Sequence, residues 1–373
     1  MIMIKSANQK LADRIIGHQL FFSRFSTGEA NKILALLRKG DVRITMMLTE
    51  ALRESEANAL NWNQARLSAI KRGIKDSVFS VYEQAFGQLR ADFTAIAGNE
   101  AAFYSGAIAA SIPSAAASLY PVVSVTAEQV AAAALSKPFQ GQLLSQWAKS
   151  VPTKVVDAIG STVQQGILLG QSHTEIIANV RGTSANNYQN GLLARQRNGL
   201  AAVVKTATNH IAAEARTLTA QRNSDIIKGR QWLSTLDSHT TTMCIIRDGK
   251  QYTNDDKPQP IGHKIPYGAG PSRIHFCCRS VETLITKSWK EMGIDAGEMD
   301  VGTRASMNGQ VAADMTYSQW IERQPYAVIE KVFGVTRAQM IRDGKVKPDT
   351  LFNDKGEFLS LSQLRDIDIL LSS

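Results

Sequence analysis

The pattern of apolar and polar positions over the first 150 residues predicts long helices. Apolar residues recur near helical spacing over 33–52, and the same pattern resumes over 70–86 after a polar interruption at 61–63. Glycine-based turn signals are almost absent from this part of the chain. We therefore expect a helical N-terminal domain at 1–150, built from long helices and short loops.

A second helical region is expected after it. The pattern predicts a helix over 153–169, a break at 170–174, and another helix for which Thr174 is the candidate N-cap. Helical periodicity returns over 200–215.

The pattern changes near residue 230. A short β-prone run covers 231–236, and Asp248-Gly249 is a hairpin signal. We predict a compact β-hairpin unit at 231–281 inside a domain at 151–290. A linker at 291–316 and a small helical region at 317–373 would follow, which makes the fold class α+β and mostly α.

Composition fits a globular chain. Of 373 residues, 44% are hydrophobic and 20% are charged, which excludes collagen-like, mucin-like and wholly disordered chains. The uncharged stretch Ala101–Ala127 exceeds the roughly 20 residues of a spanning helix, but Pro113 and Pro121 interrupt it. We expect packed Ala-rich helices there and no stable membrane span. The N-terminus has no apolar core typical of a secretory signal, so synthesis in the cytosol is expected.

Positive charge is concentrated in one segment. The chain has a net charge of +9, and eight basic residues against Glu214 and Asp225 give 181–230 a balance of +6. Such a segment fits contacts to a polyanion, and it also fits an ordinary solvated face with partners elsewhere in the fold. The candidate contact residues are Arg195, Arg197, Lys205, Arg216 and Arg222.

Cysteine and histidine cluster in the 231–281 unit. It holds all three cysteines of the chain and three of its six histidines. Zinc is the usual reason for such clustering, since it binds four tetrahedral N, S or O ligands and stabilises small units. Two alternatives remain open, namely a core without metal and a disulfide between Cys244 and Cys278. The candidate ligands are Cys244, His275 and Cys278, with His239, Asp237 or water as the fourth.

Two charged residues border this cluster. Asp237 follows the first predicted strand, and Arg279 follows the cysteine pair. If the two segments are adjacent, these side chains can form a bidentate ion pair, and a structural role is the expected one. Cys277 is expected to take no part in the site.

These residues also carry a resemblance. Their order is similar to that of the phage Mu F-like minor head protein family, also described as phage head morphogenesis proteins. The matching segments are WLSTLDSHTTTMC at 232–244, RDGK at 247–250, Pro271 and HFCCRS at 275–280. Weaker similarity extends to GQSHTEII at 170–177, TATN at 206–209 and the tail from YSQWIERQP at 317–325, so the resemblance covers about 155–365.

Two positions depart from the family pattern. The family has an arginine where this chain has His239, and the second proline before the histidine is absent because Ser272-Arg273 intervenes. The first departure affects any role of that arginine, and the second predicts a reshaped loop before His275.

The resemblance implies a low-copy minor head protein of a tailed phage. Such a protein would be made in the host cytoplasm and lie inside the capsid near the portal, in several copies per virion. Its partners would be the portal protein, the major capsid protein and packaged double-stranded DNA, bound without sequence preference. It would act in procapsid assembly, with a role in DNA packaging or ejection, and it would not be an enzyme.

The alternative is a metal-dependent nuclease or another DNA-processing enzyme of the phage head. A site can be drawn with His239 as general base and Asp237 as a metal ligand. Phosphate-binding loops, G-x-S-x-G and H-E-x-x-H motifs are absent from the sequence.

Overall fold

A computed structural model describes residues 7–57, 64–288, 290–292, 303–306, 309–312, 315–353, 357–360 and 362–364. The chain is 64% helical and has a four-stranded antiparallel sheet, which confirms the mostly helical α+β fold class. The helices before the sheet are α1 Ala7–Ala57, α2 Gln64–Ala109, α3 Ser114–Leu119, α4 Ala127–Ser136, α5 Leu144–Leu168, α6 His173–Arg181 and α7 Leu192–Arg222.

The long N-terminal helices agree with the apolar periodicity, while the predicted interruption at 61–63 lies outside the described residues. The uncharged stretch 101–127 contains the end of α2 and all of α3. No helix within the described ranges is long and apolar enough to cross a membrane.

The described residues pack into two compact units that do not follow chain order. One comprises 1–23, 98–126 and 212–373, and the other comprises 24–97 and 127–211. Helices α1, α2 and α7 contribute to both units, so the division differs from the predicted boundaries at 150 and 290. The reason is length: at about 1.5 Å per residue, a helix of 31 to 51 residues can take part in two cores.

The N-cap of α6 lies two residues before its predicted position. Ser172 is the N-cap, and its hydroxyl accepts a hydrogen bond from the Glu175 amide at 3.3 Å. The Glu175 carboxylate in turn accepts from the Ser172 amide at 2.7 Å, which completes a capping box. The prediction of Thr174 as the cap was therefore wrong, because Thr174 lies inside the helix.

The sheet lies in the 212–373 part of its unit. Its elements are β1 Ile227–Leu233, α8 Thr242–Ile245, β2 Gln251–Thr253, β3 Pro260–Ile261 and β4 Val281–Thr286. The strand order is β3-β2-β1-β4, and β1 pairs with β2 in the register Gln231↔Gln251 and with β4 in the register Leu233↔Val281. The short helix α8 separates β1 from β2, so Asp248-Gly249 turns into β2 without forming a two-residue hairpin.

A second hairpin occupies part of the predicted linker. Strands β5 Thr303–Ser306 and β6 Gly309–Ala312 pair antiparallel, from Thr303↔Ala312 to Ser306↔Gly309. Other positions of that segment, including 293–302, lie outside the described residues.

The C-terminal helices share a core with the 231–281 unit. They are α9 Tyr317–Ile321, α10 Tyr326–Phe333 and α11 Val335–Arg342. Trp320 and Phe333 from these helices pack in one buried cluster with Leu236 and Ile245. Helices of five to eight residues are too short to bury a core alone, which explains why this region depends on its neighbour.

Candidate metal centre

Two segments bring three potential metal ligands together. Cys244 lies on α8, while His275 and Cys278 lie in the loop that precedes β4. One ligand atom from each residue lies within 4.8 Å of the others, so the group could hold a metal ion. Cys244 and Cys278 are buried and His275 is half-buried, which places the histidine on the solvent side.

The distances within the group are close to those of a tetrahedral site. The two Sγ atoms are 3.7 Å apart, and Cys244 Sγ lies 3.4 Å from His275 Nε2. With Zn–S near 2.3 Å and Zn–N near 2.05 Å, tetrahedral angles place two sulfurs about 3.8 Å apart and sulfur and nitrogen about 3.6 Å apart. These two spacings are therefore compatible with tetrahedral coordination of a metal ion such as zinc.

The imidazole of His275 is oriented by its other nitrogen. Nδ1 lies 2.9 Å from the Phe276 carbonyl oxygen, to which a protonated Nδ1 donates a hydrogen bond. That tautomer leaves a lone pair on Nε2, the nitrogen that faces Cys244. Nε2 is also 3.0 Å from the hydroxyl of Thr241, at the exposed edge of the group.

The two thiols differ in their electrostatic surroundings. The hydrogen bond from the Cys244 thiol lowers the pKa of Cys278 to about 7, against the effect of burial, and the amides of Ser280 and Ser272 act in the same direction. The same hydrogen bond, together with burial, raises the pKa of Cys244 far above its usual range. One thiolate is thus favoured before any metal binds, and a metal would displace the second proton.

Contacts with Cys244 and with the Phe276 carbonyl also affect His275. Burial lowers the pKa of this imidazole, but those contacts together outweigh burial and raise it above the ordinary value.

Aromatic side chains enclose the buried side of the group, where Trp232, Tyr252 and Tyr267 pack against the two cysteines.

The predicted fourth protein ligand is not part of the group. His239 is exposed, and within the described chain the group comprises Cys244, His275 and Cys278 alone. Asp237 is also outside it, because Arg279 holds both of its carboxylate oxygens. A fourth coordination position would therefore be left to water or to the neighbouring Thr241 hydroxyl.

Asp237 and Arg279 form the ion pair expected from the sequence. Arg279 Nη1 lies 2.5 Å from Asp237 Oδ2, and Nη2 lies 2.9 Å from Oδ1. Burial raises the pKa of Asp237, but hydrogen bonds from Arg279, the His239 amide and Thr240 outweigh it and hold that pKa below its usual range. The pair joins the segment before α8 to the segment before β4.

Cys244 and Cys278 form no disulfide with each other in this structure, where their sulfur atoms are 3.7 Å apart. Cys277 is exposed and lies outside the ligand group.

The loop before His275 is anchored by Arg273, one of the two residues that stand between Pro271 and Ile274. Arg273 pairs with the buried Glu214 on α7, and its Nε donates to the Ala269 carbonyl at 2.7 Å.

A buried charge cluster that joins the sheet to α7 was not predicted from the sequence. Glu282 on β4 accepts hydrogen bonds from Arg216 Nε at 3.1 Å and from the Tyr267 hydroxyl at 2.5 Å. Arg230 Nη1 lies 3.6 Å from the same carboxylate, and Arg216 also donates to the Tyr104 hydroxyl at 3.0 Å. The available signal was Glu282 itself, a single carboxylate inside the run VETLIT.

The predicted polyanion contacts separate into buried and accessible residues. Arg216 is 1% exposed in the Glu282 cluster, and Arg197 is 6% exposed and paired with Asp41. Neither can reach DNA or a partner protein, so their assignment as contacts was wrong. Arg195 and Arg222 are exposed, and Lys205 is half-buried. Three of the eight basic residues of this segment, Arg197, Arg216 and Arg230, are therefore buried and paired inside the protein.

Comparisons with known proteins return nothing: no family model, no curated protein and no solved structure matches the chain. The function is therefore inferred from the chain's own residues and their geometry.

Proposed function

We propose that the chain is a minor head protein of a tailed phage in which the 231–281 unit is a structural zinc site. The observation that carries the structural role of this unit is the convergence of the motif residues on one place. Trp232 packs against Cys244 and Cys278, and the Ser234 hydroxyl accepts from the Trp232 indole at 3.1 Å and donates to the Cys244 carbonyl at 2.8 Å.

The remaining motif residues also serve the architecture of this unit. Asp237 and Arg279 join its two segments through their ion pair. The Asp248 carboxylate accepts from the Ser234 amide at 2.6 Å and from the Tyr317 amide at 2.7 Å, which ties the unit to α9. Because these side chains are already engaged in contacts that hold the unit together, they support a structural role for the motif.

Zinc is the metal that this ligand set favours. Thiolate and imidazole ligands select zinc over magnesium and calcium, which prefer oxygen. The spacing of the sulfur and nitrogen atoms fits tetrahedral coordination, and zinc would fasten α8 to the loop before β4. In a unit whose sheet strands have two to seven residues, such a crosslink adds stability that the small core lacks.

The geometry supplies one of the two features that the nuclease alternative needs. A nuclease needs a hydrated metal with an open position, which the fourth coordination position of this group would provide, and also a general base beside that metal. Asp237 would have to leave Arg279 to bind a metal, and His239 is exposed and outside the Cys244 group. We therefore favour a protein without enzymatic activity.

The assignment to the phage head rests on the motif resemblance. The long helices α1 and α2 are suited to packing against a portal or capsid wall, and the portal protein, the major capsid protein and packaged DNA are the proposed partners. The protein would be a low-copy component inside the capsid that acts in head assembly, with a role in packaging or ejection.

Zinc content tests the site. Elemental analysis of the purified protein should find about one zinc per chain, and the Cys244→Ala and Cys278→Ala variants should lose it. Cys277→Ala is the matched control, because Cys277 neighbours the site and is not among its ligands. A zinc-free wild-type protein, or equal zinc in all variants, would refute the metal proposal.

Virion proteomics tests the biological assignment. Quantitative mass spectrometry should find the chain in purified particles at far lower copy number than the major capsid protein. Comparison with particles that have ejected their DNA should show whether the protein stays in the head or leaves with the genome. Detection in lysate but never in particles would contradict the assignment. A plasmid-nicking assay with Mg²⁺ and Mn²⁺ should show no cleavage, and metal-dependent nicking lost in Cys278→Ala would favour the nuclease.

A further inference from the structure

A polar cleft lies in the unit formed by 24–97 and 127–211, well separated in sequence from the candidate metal centre. Residues of α5 and α6, the loop after α6 and the first turn of α7 line it, and its volume is about 280 Å³. Small-molecule pockets begin at roughly 300 Å³, so the cleft is large enough for a small group but not for a bulky cofactor.

The lining is polar and carries a positive charge. Arg195 supplies the guanidinium, and Gln165 and Asn179 supply side-chain amides. Asn179 Nδ2 uses one of its two hydrogens on Gln171 Oε1 at 2.9 Å, while the Thr162 hydroxyl donates to the Ala158 carbonyl at 2.9 Å. None of the lining residues that the structure describes is acidic. A cleft with one cation, two amides that can donate and no carboxylate is complementary to a small oxyanion.

Arg195 is available to a ligand. Its side chain is exposed, and no hydrogen bond or ion pair engages it among the described residues. Arg197, two positions later, pairs with Asp41 instead. A step of two residues along an α-helix rotates by about 200° around its axis, so the two arginines lie on different faces of α7.

The loop that forms one wall is fixed by its own hydrogen bonds. Asn190 Oδ1 accepts from the Thr183 amide at 2.9 Å, and Asn190 Nδ2 donates to the Thr183 hydroxyl at 3.2 Å. The Arg181 guanidinium lies 4.3 Å from the Tyr188 ring centroid, which fastens the loop to the end of α6. A ligand would therefore meet a wall that is already ordered, which reduces the entropy cost of binding.

We propose that this cleft binds a phosphate group, with Arg195 as the charged contact and the Gln165 and Asn179 amides as flanking donors. A planar guanidinium can donate two parallel hydrogen bonds to phosphate oxygens. The phosphate can come from the DNA backbone or from free phosphate, which present the same oxyanion chemistry. This inference depends neither on zinc binding nor on the phage head, so it stands or falls separately from the proposed function.

The test uses the full-length protein and two probes. Fluorescence anisotropy follows a labelled 20-base-pair duplex, and calorimetry follows inorganic phosphate. Arg195→Gln should weaken the binding of whichever probe occupies the cleft by about tenfold, because it removes a charged hydrogen-bonding contact. For the duplex, the log–log salt slope should fall by about 0.9.

Arg222→Gln is the matched control, because Arg222 is exposed on the same helix but does not line the cleft. It should change binding of either probe by less than about twofold. Asn179→Asp is a second variant, which adds a negative charge to the cleft and should also weaken binding while leaving α6 intact.

The two probes distinguish the sources. Loss of duplex binding in Arg195→Gln assigns the cleft to the DNA backbone, and loss of phosphate binding alone assigns it to free phosphate. Binding of neither probe to the wild-type protein overturns the proposal. Equal losses in Arg195→Gln and Arg222→Gln also overturn it, since they would show diffuse attraction to a basic helix.

Discussion

Replacing Glu282 by glutamine should destabilise the protein more than any surface change of the same kind. The side chain is 1% exposed and lies between two buried guanidinium groups, at 3.1 Å from Arg216 Nε and 3.6 Å from Arg230 Nη1. Glutamine keeps the size of the side chain and removes its charge. The variant therefore creates no cavity, and the loss of stability measures the charge together with one hydrogen-bond acceptor, because an amide nitrogen replaces one carboxylate oxygen.

The magnitude follows from the buried charges that remain. Removing one partner of a buried ion pair costs about 3–5 kcal/mol, because the other charge stays desolvated without compensation. Here two cations lose their shared carboxylate, and Tyr267 loses a charged acceptor at 2.5 Å. We expect a loss of at least 3 kcal/mol on that basis. For a chain of 373 residues, with an unfolding entropy of about 2.1 cal/mol/K per residue, a loss of about 3–5 kcal/mol lowers the Tm by roughly 4 to 6 °C.

Urea denaturation followed by circular dichroism measures this loss. The control is Glu291→Gln, because Glu291 forms an exposed ion pair with Lys228 at 2.8 Å. Exposed pairs contribute about 0–1 kcal/mol, so the control should unfold almost as the wild type does. A loss below 1 kcal/mol in Glu282→Gln, similar to the control, would refute the account of the cluster.

The pH dependence gives the same cluster a second test. Burial raises the pKa of Glu282, but the charges of Arg216 and Arg230 and the hydrogen bond from Tyr267 outweigh it and hold the pKa below its ordinary value. A carboxyl with a depressed folded-state pKa stabilises the protein above its unfolded pKa, near 4.3, and loses that contribution as pH falls through the folded value. The difference between wild type and Glu282→Gln should therefore be complete at pH 7 and shrink below about pH 4.

Three further substitutions test local features by urea denaturation. Ser172→Ala removes the N-cap of α6 and should cost about 1 kcal/mol, and an unchanged midpoint would contradict the capping box. Gly191→Ala, just before α7, places a Cβ against the backbone of Arg181 and Gly182, so we expect a loss of about 1–3 kcal/mol. Gly199→Ala, inside α7 with no atom within 4 Å of the added Cβ, should instead stabilise by about 0.5–1 kcal/mol. A similar effect in both glycine variants would argue against the close approach at Gly191.

The ligand group was predictable in its main members. Cys244, His275 and Cys278 were identified because cysteine and histidine concentrate in one small unit, and the structure brings them within 4.8 Å. His239 was wrong as a ligand, because sequence proximity to the cluster does not fix the direction of an exposed side chain. The cap of α6 was missed by two residues, although the sequence carried the signal: Glu175 follows Ser172 by three residues, as a capping box requires, whereas Ile177 follows Thr174.

The sequence by itself determined the features that depend on neighbours along the chain. Apolar periodicity defines a helix because helical contacts join residues three or four apart, so α1 and α2 were expected before their packing was known. The tertiary structure alone decided which charges are solvated. Arg195 and Arg216 look alike in the sequence, but Arg216 is buried against Glu282, 66 residues away, while Arg195 lines an open cleft. Burial of a charge depends on such distant partners, and no local pattern records them.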